Sequence, residues 1–149
     1  MTGRRISALV CLVALSISTA ACVGGPTTLS GKLQAWANNA SYSSDVSQIA
    51  QDLTDLNNGL KERQFLALRT ACEGFGVDVE TLYGYLPTPD YDITQELGTS
   101  LANYYTAADD CFYSSSFTSA KFLTYEKLLK SSGVTYQKAL AQLGTYGVH

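Results

Sequence analysis

The residues that could carry nucleophilic or acid–base chemistry are few, and their spacing matches no common catalytic site. A serine or cysteine nucleophile needs a base within reach, and the only histidine is His149, the last residue. Two carboxylate pairs, Asp90/Asp92 and Asp109/Asp110, are candidates for acid–base catalysis. The first pair fits helix capping, and adjacent residues such as the second pair point to different faces of a helix. We therefore predict that the protein is not an enzyme.

Metal and cofactor sites are not predicted either. Zinc sites usually have a second cysteine two to four residues from the first, and neither Cys72 nor Cys111 has one. The sequence has no C-x-x-C redox motif, and the glycines of "GFG" (74–76) lack the context of a phosphate-binding loop. The aspartates of "DYD" (90–92) lack the further oxygen ligands that calcium needs. We expect no metal and no cofactor.

Tyrosine is the one residue type above background, with 10 in 149 residues. Tyr83, Tyr85 and Tyr91 bracket the turn "LPTPD" and cannot all point into a core. Tyrosine is favoured at binding surfaces because it joins apolar area to a polar tip. We predict that these three tyrosines form an interaction patch for an envelope protein, a peptide or a glycan. The alternative is that they only cover the end of the fold.

The N-terminus predicts export. Arg4 and Arg5 precede the apolar run "ISALVCLVALSIS", and small residues follow it at positions 19–21, as in a secretory signal. The run is shorter than the ~20 apolar residues of a membrane-spanning helix. We predict that residues 1–21 are a signal peptide that is removed.

Cys22 is the predicted acceptor of a lipid anchor. The sequence "TAAC", which ends at Cys22, resembles a bacterial lipobox in its last three positions, with Thr19 in place of the usual Leu, Val or Ile. Residues 22–28 are then the lipidated cysteine and a flexible tether. Stable anchoring takes more than one acyl chain, and we expect the protein at the outer face of the cell membrane. The alternative is ordinary cleavage after Ala21, which gives a secreted soluble protein.

The remaining cysteines favour one disulfide bond. Cys11 leaves with the signal, so Cys72 and Cys111 are an even pair in an oxidising compartment. Closing a loop of about 40 residues stabilises a fold by ~4 kcal/mol in the chain-entropy model. Without Arg4 and Arg5 the chain has 8 basic and 13 acidic residues, a net charge of −5. This charge argues against a nucleic-acid partner.

Apolar residues recur every three or four positions after residue 28, which indicates helices rather than strands. We predict that the first helix breaks between Asn38 and Ser44, that Asp45 with Gln48 caps its restart, and that "NNG" (57–59) ends it. The next helix is expected from about Leu60 to the proline turn. A third begins near Tyr91 with Asp90 or Asp92 as N-cap, and the last has a candidate kink at residues 131–133.

The sequence therefore predicts an all-α domain at residues 29–149: an antiparallel bundle of four main helices, the first one whole or split, with one interhelical disulfide. Cys72 and Cys111 lie on the apolar stripes of their helices, so the bond should lie inside the hairpin. Their distances from the turn differ by ~10 Å. The extended Pro-Thr-Pro-Asp segment or a helix tilt must absorb this difference.

Several short motifs resemble an uncharacterised actinobacterial family of small lipoproteins and secreted helical domains. They are Trp36, "RTAC" (69–72), "LPTPD" followed by "ITQEL" (86–97) and "AADDC" (107–111). The resemblance implies an envelope location, a helical fold and a Cys72–Cys111 bridge, but no reaction. We expect a non-enzymatic structural or interaction role at the membrane. The alternative is a small-ligand or lipid carrier that uses the bundle interior.

Overall fold

The computed structural model describes residues 25–149, so the predicted signal peptide and Cys22 lie outside the described residues. Residues 25–149 fold into α-helices without a β-strand, which confirms the predicted all-α class. The helices are α1 (Leu29–Asn39), α2 (Tyr42–Glu62), α3 (Phe65–Tyr83), α4 (Tyr91–Phe112) and α5 (Ala120–Thr145). In this part of the chain, no helix is both long and apolar enough to cross a bilayer.

Helices α2 to α5 form the four-helix bundle, since α2 packs on α3, α3 on α4 and α4 on α5. Aromatic rings fill its centre: Tyr104 lies edge-on to Phe75 and Tyr136, with centroids 5.2 and 5.4 Å apart. Such pairs stabilise a core beyond their buried area. The apolar stripes that predicted the helices supply these buried side chains, so helical periodicity determines the bundle.

The predicted break in the first helix is confirmed. Ser41 adopts a left-handed conformation (φ 50°) between α1 and α2. Helix α1 then lies across one end of the bundle, where α2 begins and α3 and α5 end. The indole nitrogen of Trp36 donates a hydrogen bond to the backbone oxygen of Tyr85 (2.8 Å), and Ser30 Oγ donates to that of Tyr146 (2.9 Å). These contacts attach α1 to the α3–α4 turn and to the C-terminus.

Two predicted helix boundaries are wrong. Helix α2 continues through "NNG" to Glu62, and α3 begins at Phe65 rather than near Leu60. Gly59 does not terminate α2, because its missing side chain makes room for Leu68: a Cβ there would lie 3.3 Å from the Leu68 backbone. The left-handed Arg63 (φ 52°) ends the helix instead.

The predicted cap of Asp45 with Gln48 is also wrong. Ser41 occupies the N-cap position of α2 and makes no side-chain capping bond, while Asp45 lies within the first turn of the helix. Gln48 donates its side-chain amide to Asp52, one turn further along. Asp90 is the N-cap of α4, as predicted, because its Oδ1 accepts from the Ile93 amide at 2.9 Å.

Helix α5 is one continuous helix through the candidate kink at residues 131–133. Gly133 packs close to α4, since a Cβ there would lie 3.4 Å from the Tyr104 hydroxyl. The glycine therefore serves packing between helices, and the helix does not break at it.

The Cys72–Cys111 disulfide joins α3 to α4 inside the bundle, as predicted, with both cysteines fully buried and a Cα–Cα distance of 6.1 Å. The extended turn segment absorbs the unequal distances of the cysteines from the turn. It runs beside the first turns of α4, where a Cβ on Gly98 would lie 3.3 Å from Leu86. The Thr88 amide donates to Thr94 Oγ1 in the same stretch (2.9 Å).

Candidate interaction surface

The three tyrosines of the predicted patch all lie on the surface. Tyr83 is the last residue of α3, Tyr85 lies in the turn and Tyr91 is the first residue of α4. Their exposed fractions are 48%, 39% and 75%. The Trp36–Tyr85 hydrogen bond places the turn at the end of the bundle that carries α1. The prediction that they bind a partner stays a prediction.

The structure brings Tyr83 together with residues that the predicted patch did not include. Tyr83 and Tyr105 line the same depression between α3 and α4, with Glu80 and Ala102. A second depression continues from Tyr83 and Ala102 to the proline turn. A third continues from Glu80 and Tyr105 along the helices to Tyr113. These three depressions form one shallow surface, the α3–α4 groove, whose exposed rings are Tyr83, Tyr105 and Tyr113. Tyr85 and Tyr91 do not line these depressions.

The groove is lined by residues of α3 and α4 that lie beside the buried stripes of these helices. On α4 the buried stripe includes Leu101, Tyr104 and Ala108, whereas Tyr105 and Asp109 follow at the next position on the outer side. Small residues make the floor of the groove. A Cβ on Gly76 would lie 3.3 Å from that of Ala108, so α3 and α4 approach closely there. The rings of Tyr83, Tyr105 and Tyr113 rise from this low floor.

The tyrosines divide sharply between core and surface. Tyr105 and Tyr113 are 48% and 62% exposed, and Val77 in the same groove is 59% exposed. Tyr104, the neighbour of Tyr105, is buried, and its burial raises the pKa of its hydroxyl to about 12. Helical periodicity in the sequence could have predicted which tyrosines are exposed, because Tyr105 and Tyr113 lie off the apolar stripe of α4.

Three carboxylates line the groove, those of Glu73, Glu80 and Asp109. Helices α3 and α4 together contain seven acidic residues and a single basic one, Arg69. The acidic residues are Glu73, Asp78, Glu80, Asp92, Glu96, Asp109 and Asp110. Arg69 is engaged at the far end, where its Nε donates to the Phe112 backbone oxygen (2.7 Å) and its guanidinium lies over the Phe112 ring. No lysine or arginine lines the three depressions, so the groove favours cationic groups.

A second group of carboxylates lies in the seam between α2 and α3. Burial, and then the neighbouring Asp78 carboxyl, raise the pKa of Asp52 to about 6. Burial, and then the charge of Asp78, also raise the pKa of Asp45. Within residues 25–149, no three His, Cys, Asp or Glu side chains are arranged to hold a metal ion. The charge of Asp78 thus disfavours ionisation of both Asp45 and Asp52.

Asp90 and Asp92 play structural roles at the start of α4, where Asp90 caps the helix and Asp92 lies in its first turn. Asp110 forms an ion pair with Lys121 of α5 (3.3 Å), whereas Asp109 is exposed in the groove. The two carboxylate pairs considered for catalysis therefore have no shared site. Comparison with known proteins gives no further assignment: no family model matches the chain, and no curated protein or solved structure is significantly similar to it.

Proposed function

We propose that this is an exported, lipid-anchored protein of the cell envelope that acts by binding a macromolecular partner. The observation that carries the proposal is the α3–α4 groove with its three exposed tyrosine rings. Solvent-exposed aromatic rings in one groove are uncommon on a surface that contacts only water. Tyrosine anchors contribute strongly to association because each buries a large ring at a low cost in side-chain entropy.

The filled interior of the bundle supports binding at the surface over carriage of a ligand inside. The largest side chains within it are Tyr104, Tyr125, Tyr136, Phe75 and Phe122, all almost fully buried. A carrier of lipids or small ligands needs an internal cavity of several hundred Å³. The interior rings occupy the space that such a cavity would need.

The anchor is supported by the lipobox resemblance at Cys22 and by the position of α1. Helix α1 begins at Leu29, so six residues separate it from Cys22 and reach at most ~20 Å. The end of the bundle that carries α1 would then face the membrane. The groove runs along the bundle side, where a neighbouring molecule at the membrane can reach it.

The test is photo-crosslinking in native membranes. A photoreactive amino acid in place of Tyr105 should yield a crosslinked adduct that mass spectrometry identifies. Leu66 is the matched control, because it is a large exposed side chain on α3 (76% exposed) that does not line the groove. An adduct from position 105 but not from position 66 supports the proposal. The same yield from both positions, or none from position 105, contradicts it.

A further inference from the structure

We infer that the partner in the α3–α4 groove is a second copy of this chain, which presents the outer face of its α5 helix. The inference rests on the proposed binding function and names the partner. Charge, spacing and position along the bundle support it.

The outer face of α5 carries a stripe of four exposed residues, with an apolar side chain at each end and two lysines between them. Leu123, Lys127, Lys130 and Val134 follow one another at steps of four, three and four residues, so they lie on one side of the helix. We call them the α5 outer stripe. They lie opposite the buried residues of the helix, and Leu123 and Val134 are 57% and 75% exposed. The two lysines of the stripe can pair with the carboxylates of the groove, and the apolar side chains on either side of them can pack on its tyrosine rings.

The charges of the two surfaces are complementary. Helix α5 contains four lysines and one glutamate. Two of the lysines form ion pairs with α4 of the same molecule, Lys121 with Asp110 and Lys138 with Glu96. Over residues 25–149, Lys127 and Lys130 form no ion pair, and neither does Glu80 in the groove. The unpaired lysines of one molecule can thus meet the unpaired carboxylates and tyrosine rings of another.

The two surfaces also lie at the same height along the bundle. The ion pairs between α4 and α5 set their antiparallel register, so Leu123 is about level with Asp109 and Val134 with Gly98. The groove side of α4 covers this same interval. Two copies can therefore contact each other side by side, with little shift along the axis. Both α1 ends then point the same way, as two anchors in one membrane require.

The contact joins the groove of one molecule to the α5 outer stripe of the other. Each pair of molecules therefore still has one free groove and one free stripe. Such heterologous contacts extend into rows unless a rotation closes a ring. The net charge of −5 outside the signal opposes association in solution. Anchoring in a membrane raises the effective concentration and favours the contact. We expect weak association of the free protein and rows at the membrane.

Sedimentation velocity of the purified full-length protein in detergent micelles tests this inference. The parent should associate as its concentration rises, and more weakly at high salt. Ala102→Arg places a cation in the groove at the height of Lys130, and Val134→Glu places an anion on the stripe, which the carboxylates of the groove repel. Both positions are exposed. Each variant alone should raise the dissociation constant about tenfold or more. An equimolar mixture should form dimers that do not grow further, because one intact groove meets one intact stripe.

Leu66→Arg is the control that should associate like the parent, and circular dichroism should show that all variants are folded. A parent that stays monomeric at every concentration overturns the inference. If Ala102→Arg and Val134→Glu associate like the parent, or if their mixture stays monomeric, the inference is also overturned. Crosslinking from position 105 separates the two proposals. Capture of a different protein removes the self-association and leaves the binding function, whereas absence of any adduct removes both.

Discussion

At the scale of single residues, the carboxylates between α2 and α3 make stability depend on pH. Burial and the Asp78 side chain raise the pKa of Asp52 to about 6, whereas an unfolded chain has an aspartate pKa of about 3.9. Between these values the folded state binds a proton that the unfolded state does not. The free energy of unfolding therefore rises as the pH falls from about 6 to 4, and this contribution is lost as the pH rises through 6.

Asp78→Asn should weaken this dependence, and burial of Asp52 should leave a part of it. An amide at position 78 can donate a hydrogen bond to the ionised Asp52, so the pKa of Asp52 falls toward its ordinary value. We expect the variant to be more stable than the parent at pH 8, by on the order of 1 kcal/mol because the site is partly solvated. Urea unfolding at several pH values measures this. Glu73→Gln, at an exposed position on the same helix, is the control. Parallel curves for the parent and Asp78→Asn would refute the prediction.

At the scale of helices, the sequence predicted most of what periodicity and capping can determine. The buried stripes, the break before α2 and the Asp90 cap follow from local rules that act within a few residues. The end of α2 did not follow, because Gly59 is there to admit Leu68 of the next helix. This contact is with a residue of another helix, so the sequence around Gly59 does not reveal it. The groove was missed because it needs both helices: Tyr83 and Tyr105 meet only once α3 and α4 are paired.

The disulfide should dominate the stability of the α3–α4 hairpin. It links residues 39 positions apart, and a loop of this size contributes ~4 kcal/mol through the entropy of the unfolded chain. The double variant Cys72→Ala/Cys111→Ala should lose about this free energy of unfolding, as urea titration would measure. Val77→Ala, at an exposed site five residues from Cys72 on the same helix, should change stability little. A loss below ~1 kcal/mol in the double variant would contradict the chain-entropy argument.

At the scale of the whole molecule, the end of the bundle with α1 also carries the proline turn and the C-terminus. Trp36 binds the turn at Tyr85, and Ser30 and Gln34 bind the backbone oxygen of Tyr146. A pull on the N-terminus is therefore distributed over several elements of the bundle. This arrangement suits a domain held from its first helix. Tyr85 and the exposed Tyr91 lie at the end of the bundle that carries α1, and Tyr113 lies at the opposite end of the groove.

Cys22→Ala should release the protein from the membrane. Without the thiol no acyl chain can be attached, and cleavage after Ala21 by a general signal peptidase would still free the domain. We expect the parent in the membrane fraction and the variant in the soluble fraction, with intact masses that differ by the acyl chains. Val23→Ala changes the neighbouring residue and keeps the thiol, so it should fractionate like the parent. A parent mass without acyl chains, or equal partitioning of the parent and Cys22→Ala, would show that Cys22 is not the anchor. In that case, rows of side-by-side copies would lose the membrane that concentrates them.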